Sequence, residues 1–294
     1  MDIPAEIGKN VVFLYCNTQK TGMQTAGTAF LVSIDFPDIP REMEVNYMYL
    51  VTAKHVIEGI KSHTEDGEVY VRVNTKGGGS ALLSMAGTEW VTDASADIAV
   101  ADWEPPSDAD LVRFPLEGAA TAENLASKNR HLKTGDDTFL VGAFLSRVGQ
   151  TKNIPIIRVG NIAALADEPV VTRVGEQDAY LVECRSVMGL SGSPVFVHYE
   201  GPHQQMMRPG MNLMHLTGRQ FFLLGVMHGH YPTRDDELVR EIEGLGAQQL
   251  NTGIAVVVRV ERLIDLLNRE DLRRVREEAQ RVLKTQIEGR RPET

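Results

Sequence analysis

The chain has 294 residues, 43% hydrophobic and 24% charged, with a net charge of −10. That composition suits one large globular domain or two small ones packed together, and the acidic balance argues against nucleic acid or an anionic membrane as a partner. No apolar run is long enough to span a bilayer, Met1 to Cys16 lacks the basic start of a signal peptide, and two cysteines, Cys16 and Cys184, give no disulfide framework, so a cytoplasmic protein is expected.

Short apolar or alternating runs recur along the first half. They are Val11 to Cys16, Gly27 to Ile34, Tyr47 to Ala53, Val69 to Val73, Ala81 to Met85 and Ile98 to Trp103. Asp-Phe-Pro-Asp, Glu-Asp-Gly and Lys-Gly-Gly-Gly separate them, which is loop chemistry, and only a short helix is expected after His55. From Pro105 to about Gly135 the chain is polar and poor in strands, and reads as a connector. A second series of predicted strands follows: Thr138 to Ala143, Ile154 to Ala163, Pro169 to Thr172, Tyr180 to Cys184, Pro194 to His198, Phe221 to Met227 and Gly253 to Val258. Two sets of about six strands with few helices predict two antiparallel barrels or sandwiches side by side. After Val260 the period changes: Leu263, Leu266, Leu267, Leu272, Val275, Ala279, Val282, Leu283 and Ile287 recur at helical spacing, predicting a tail that packs one apolar face on the body.

Ser191 stands in Gly189-Leu190-Ser191-Gly192-Ser193-Pro194, ahead of an apolar strand. Flanking glycines allow a sharp turn that exposes the hydroxyl; a reactive serine and an ordinary β-turn both fit. Serine attack on an acyl group needs a base, a carboxylate to orient that base, and N–H donors for the oxyanion. Upstream, Thr52-Ala53-Lys54-His55 ends an apolar strand with a histidine, and Asp97-Ile98-Ala99-Val100 begins another with an aspartate. Asp93 and Asp102 lie close by without that following context. An α/β-hydrolase runs serine, acid, histidine. The last histidine here is His230, the first aspartate after Ser191 is Asp235, and Glu200 is the one glutamate between Ser191 and His230, in a polar loop. That alternative is excluded.

The order His, Asp, Ser across two strand-rich halves resembles that of the trypsin-like serine peptidases. Thr52-Ala53-Lys54-His55 is similar to the family's Thr-Ala-Ala-His, and Asp97-Ile98-Ala99-Val100 to its Asp-Ile-Ala-Leu. Gly189 to Pro194 resembles Gly-Asp-Ser-Gly-Gly-Pro, and more closely the Gly-Asn-Ser-Gly-Ser-Pro of bacterial glutamyl endopeptidases. Gly27-Thr28-Ala29-Phe30 is similar to a strand of the Deg-type peptidases. The resemblance implies an all-β chymotrypsin fold of two six-stranded barrels followed by a C-terminal helix. The first barrel would span 1–115 and carry His55 and Asp97, with a connector over 116–135. The second would span 136–258 and carry Ser191, with a helical tail over 259–294. It implies Ser191 as nucleophile, His55 as general base, Asp97 as its orienting acid, and the N–H groups of Gly189 and Ser191 as the oxyanion hole. No cofactor is implied.

Leu190 departs from the family, whose digestive members carry an aspartate there to receive the ammonium freed when a propeptide is cut. Leucine cannot, so activation by N-terminal processing is not expected. The strand Phe221 to His230 resembles the one that pairs with substrate. Met227 takes the place of the glutamyl endopeptidases' pocket histidine, and alternation turns His228 to the other face. Arg185, Met188, Met227, His228 and Gly229 are the expected substrate-binding residues. His228-Gly229-His230 lacks an accompanying cysteine or acidic cluster of recognised spacing, so no metal is expected. The segment Tyr199 to Gln220, with Met206, Met207, Met211 and Met214, flanks the cleft, docks a partner, or packs beneath its own loop. Two functions stay open. One is an endopeptidase of a bacterial cytoplasm, cutting a protein or peptide substrate and switched on by a protein partner; the other is a silent peptidase-fold module that binds peptides.

Overall fold

The computed structural model describes residues 3–40, 43, 45–64, 66–172, 174–184, 189–199, 220–231 and 253–288. Strands dominate. In the first half β1 (Val11–Thr18), β2 (Gly22–Asp35), β3 (Asn46–Thr52), β4 (Tyr70–Asn74), β5 (Ser80–Ser84), β6 (Trp90–Thr92) and β7 (Ala99–Asp102) form one sheet in the order β5-β4-β1-β2-β3-β7-β6, and β8 (Phe114–Pro115) adds to β2. Helix α1 (Lys54–His63) follows β3, and the connector holds the five-residue α2 (Ala122–Ala126). In the second half β9 (Asp137–Gly142), β10 (Ile156–Ala164), β13 (Ala179–Glu183), β14 (Pro194–Tyr199), β15 (Gln220–His230) and β16 (Ile254–Arg259) close into a barrel, while β11 (Val170–Thr172) and β12 (Gly175–Gln177) make a separate hairpin.

One closed barrel, rather than two, is therefore observed. Among the described residues the N-terminal sheet stays open, with β5 and β6 as unpaired ends. β6 is three residues long and offers few backbone groups for closure.

Period-two alternation explains why so many strands read as continuous apolar runs. Both faces of these strands are buried. In β1, Val11, Phe13 and Tyr15 enter a core shared by the two halves, while Val12, Leu14 and Cys16 enter the interior of the first sheet. In β15, Phe221, Leu223 and Val226 enter the shared core, while Phe222, Leu224 and Met227 fill the barrel. Rings of Phe114, Phe139, Phe196 and Phe221 meet in the shared core at centroid distances from 5.1 to 6.3 Å. Such contacts fix one half against the other, and residues contributed by each half can converge at their boundary.

The tail is two helices, α3 (Val260–Leu267) and α4 (Glu270–Glu288). Leu263, Leu266, Leu267 and Leu272 bury in the shared core as their spacing predicts. Beyond Leu272 the pattern changes. Arg276 takes the inward position, donating from Nη1 to Tyr49 Oη at 3.0 Å and to the Leu267 carbonyl at 2.6 Å, while Val275 and Val282 remain half exposed. No helix among the described residues is long and apolar enough to cross a membrane.

Cys16 and Cys184 are free thiols, one inside each half. Burial pushes the Cys184 thiol up to about 11 and raises that of Cys16. Both are therefore protonated near pH 8, and the thiolate is the reactive form. Ellman's reagent at pH 8 is expected to find no reactive thiol in the folded chain and two after denaturation. Rapid reaction without denaturant would contradict the burial.

Candidate active site

His55 is brought to the boundary by β3, whose apolar residues lock the strand into both cores and release the chain into α1 one residue before it. Ala53, at the helix start, has no side chain with which to cap the free N–H groups there. Asp97 supplies the acceptor instead: its Oδ1 receives the His55 N–H at 2.8 Å, and its Oδ2 lies 2.7 Å from His55 Nδ1. One carboxylate thus caps a helix and holds the imidazole of the same residue. Asp97 is placed by a turn that Asp93 builds, with Oδ1 accepting from the N–H groups of Ser95 and Ala96 at 2.7 Å each. The Asp97 N–H goes to Gln177 Oε1 at 2.8 Å, on the far half. Asp102 is engaged elsewhere, by the Tyr47 hydroxyl.

A second imidazole reaches the same oxygen. His228 Nδ1 lies 2.5 Å from Asp97 Oδ2, and the two rings stand edge to face with centroids 5.3 Å apart. The pairing of β15 with β16 shifts register between Met227 and Gly229, so the strand bulges at His228. Met227 points into the barrel, fully buried, and His228 turns away from it to Asp97.

Burial of Asp97 opposes its ionisation, but the hydrogen bonds from His228 and His55 outweigh it and hold the carboxyl well below the usual carboxylate range. An ionised carboxylate accepts a hydrogen bond from Nδ1 of each ring, and in a neutral ring that makes Nε2 the acceptor. The folded value lies below the unfolded one of 3.8, so the stabilisation is complete above that pH and is lost as pH falls through the folded value. Asp97→Asn is therefore expected to flatten the dependence of Tm on pH below about pH 4. Parallel acid limbs in wild type and variant would contradict this.

Ser191 sits on the turn that enters β14. Gly189 and Gly192 have φ of +100° and +82°, in the left-handed region. A Cβ on Gly192 would stand 2.2 Å from both the Thr28 carbonyl oxygen and Thr52 Oγ1, so only glycine fits. The turn is tied to the first half: Thr28 N–H donates to the Ser191 carbonyl at 3.0 Å, and Thr28 Oγ1 donates to the Gly189 carbonyl at 2.7 Å. Ser191 Oγ itself donates to the His228 carbonyl at 3.1 Å. No acceptor among the described residues takes the N–H of Gly189 or Ser191.

His55, Asp97 and Ser191 thus come from both halves to one boundary, with the Asp97 side chain 1% exposed and that of His55 31% exposed. A Cβ on Gly229 would meet open space. Arg185, Met188 and the methionine-rich segment lie outside the described residues.

No family model matches the chain, and no curated protein matches it in sequence. Solved structures do match. The protease domain of MamO from Magnetospirillum magneticum aligns with a TM-score of 0.52 at 13% identity, covering 89% of this chain and 97% of that one. The fold is of the chymotrypsin type. Human heparin binding protein aligns at a TM-score of 0.45 and 9% identity, over 91% of this chain and 93% of its own. A catalytically inactive tobacco etch virus protease complexed with substrate aligns at 0.43 and 10%, over 90% and 85%.

One polar residue of the site, Gln177, lies outside the sequence expectations, and another, His228, makes a contact other than the expected one. Gln177 is buried at 3% exposure and receives the Asp97 N–H, but nothing in its surrounding sequence marks it. His228 was expected to bind substrate. Its alternation away from Met227 was the available signal for its contact with Asp97, but the identity of the opposite face depends on how the two halves pack.

Proposed function

We propose that the chain is a serine endopeptidase that cleaves protein or peptide substrates through an acyl-enzyme. Ser191 Oγ attacks the scissile carbonyl, His55 Nε2 takes its proton and later returns it to the leaving amine, and Asp97 holds the imidazole. The N–H groups of Gly189 and Ser191 receive the oxyanion. The observation that carries this reading is the 2.7 Å contact of His55 Nδ1 with Asp97 Oδ2, which in the neutral ring favours the tautomer with its lone pair on Nε2. The motifs resemble those of glutamyl endopeptidases and Deg-type peptidases, and in the cytoplasm we expect for this chain such an enzyme would need narrow specificity and an activating partner. Fluorophosphonate labelling of the purified protein tests it: labelling at Ser191 is expected, and no labelling with or without cell extract would reject it.

One observation favours a second reading, a silent module that holds peptides in the same cleft. Ser191 Oγ is engaged by the His228 carbonyl, so attack requires that hydrogen bond to be given up first. A chain that stays unlabelled but binds peptides would have this second function.

A further inference from the structure

We propose that His55, Asp97 and His228 form a binding site for a transition-metal dication of the Zn2+ type, and that the bound ion switches the candidate peptidase off. The second half rests on the serine-peptidase reading; the binding site does not.

The site is built from three separate elements, α1, the turn before β7, and the bulge in β15. One ligand atom from each residue brings the three within 4.8 Å of one another, and Nδ1 of each ring already lies against Asp97 Oδ2, at 2.7 Å for His55 and 2.5 Å for His228. Among the described residues no other group of three histidine, cysteine or acidic side chains meets this condition. Two imidazoles and one carboxylate suit zinc, cobalt or nickel; magnesium and calcium prefer cages of oxygen. The carboxylate is held from behind, since Oδ1 accepts the His55 N–H and the Asp97 N–H is fixed on Gln177. Partners of that kind orient ligands in metal sites. The three residues carry one negative charge when the imidazoles are neutral. The His228 side chain is 10% exposed and that of His55 31%, so the ion has an approach from the cleft and an outward position for water.

Ligand atoms about 2.0–2.1 Å from a tetrahedral ion stand roughly 3.3 Å apart. The present contacts of 2.5 and 2.7 Å must therefore widen by somewhat less than about 1 Å. A small rotation of the partly exposed His55 ring supplies most of that opening. In the metal-free site Nδ1 of His55 carries the proton and Nε2 the lone pair. Coordination needs the lone pair on Nδ1, so the Nδ1 proton leaves to solvent and Nε2 takes one up, with no net change in protons. The imidazole stays neutral, but Nε2 becomes an N–H. It then cannot accept the Ser191 proton, and general-base catalysis stops without any ligand touching the serine.

The test is a titration of EDTA-treated full-length protein with Co2+, read by visible absorption, on wild type, Ser191→Ala, His230→Ser, His228→Ser and His228→Asn. Wild type, Ser191→Ala and His230→Ser are expected to bind one equivalent with the intense bands of four-coordinate cobalt. Both His228 variants, checked as folded by circular dichroism, are expected to bind more than about 100-fold more weakly, beyond the roughly 10–100-fold contributed by an outer partner. No cobalt spectrum in wild type, or unchanged binding in both His228 variants, overturns the site. Regulation is read twice with Zn2+. Fluorophosphonate labelling of wild type should slow at least about 100-fold and recover with EDTA. Histidine 15N spectra should show the His55 proton move from Nδ1 to Nε2. Zinc bound with labelling unchanged, or with the proton still on Nδ1, overturns the switch. A protein that binds cobalt but never labels without metal keeps the site and rejects the peptidase reading.

Discussion

Ser191→Ala is expected to abolish fluorophosphonate labelling and to lower cleavage of an unfolded protein substrate by up to roughly a millionfold, with His55→Ala nearly as severe. The double variant should be no worse than Ser191→Ala alone if the proposed nucleophile and base act as a unit. Asp97→Asn should lose about 10⁴-fold. The geometry gives the reason. Asp97 accepts on both oxygens, from the His55 N–H on Oδ1 and from two imidazoles on Oδ2. An asparagine has one acceptor oxygen. If its carbonyl faces the rings, its amide N–H groups oppose the His55 main-chain donor. If it faces the main chain, the amide meets both rings and drives their protons onto Nε2, the wrong tautomer for a base. Retained labelling in Ser191→Ala would place the reactive group elsewhere. Equal losses in the single and double variants, measured as kcat/KM on one substrate, would support the unit.

Much of the fold could be read from the chain because its strands obey one rule. Runs such as Val11 to Cys16 and Phe221 to Met227 are continuous because each face of the strand meets a different core. That regularity reveals a strand, but not which neighbour closes the sheet, and among the described residues the N-terminal strands form an open sheet where a second barrel is expected from their number. The tail's apolar spacing was legible through Leu272; the inward Arg276 was not, because its partner Tyr49 lies 227 residues earlier. At the site, His55, Asp97 and Ser191 each sit at a strand end within a local motif. Gln177 and the ring of His228 act through contacts across the boundary, 80 and 131 residues from Asp97. Local pattern carries no information about such pairs. The capping of α1 by Asp97 was hidden for the same reason: Ala53 announces a missing cap without naming its replacement.

Leu190→Asp is expected to destabilise the protein by more than about 4 kcal/mol, and so to unfold a chain of ordinary stability. Leu190 is 0% exposed and packs in the barrel interior with Leu140, Val195 and Val257. A carboxylate there would replace apolar contacts with a buried charge. Leu190→Ala, which removes contacts without adding charge, should lose about 2–5 kcal/mol, and Leu190→Met, which keeps the volume, less than about 1.5. Urea denaturation of the three variants provides the series. The consequence reaches Ser191, because Leu190 lies between Gly189, whose carbonyl is held by Thr28, and the serine itself. Burial of this leucine holds the turn where an ion pair would in a relative carrying aspartate. Labelling at Ser191 should therefore fall in Leu190→Ala beyond what its unfolded fraction explains, and be kept in Leu190→Met. A Leu190→Asp protein that melts with wild type would mean that the turn is anchored by its hydrogen bonds to Thr28 and Met227 alone.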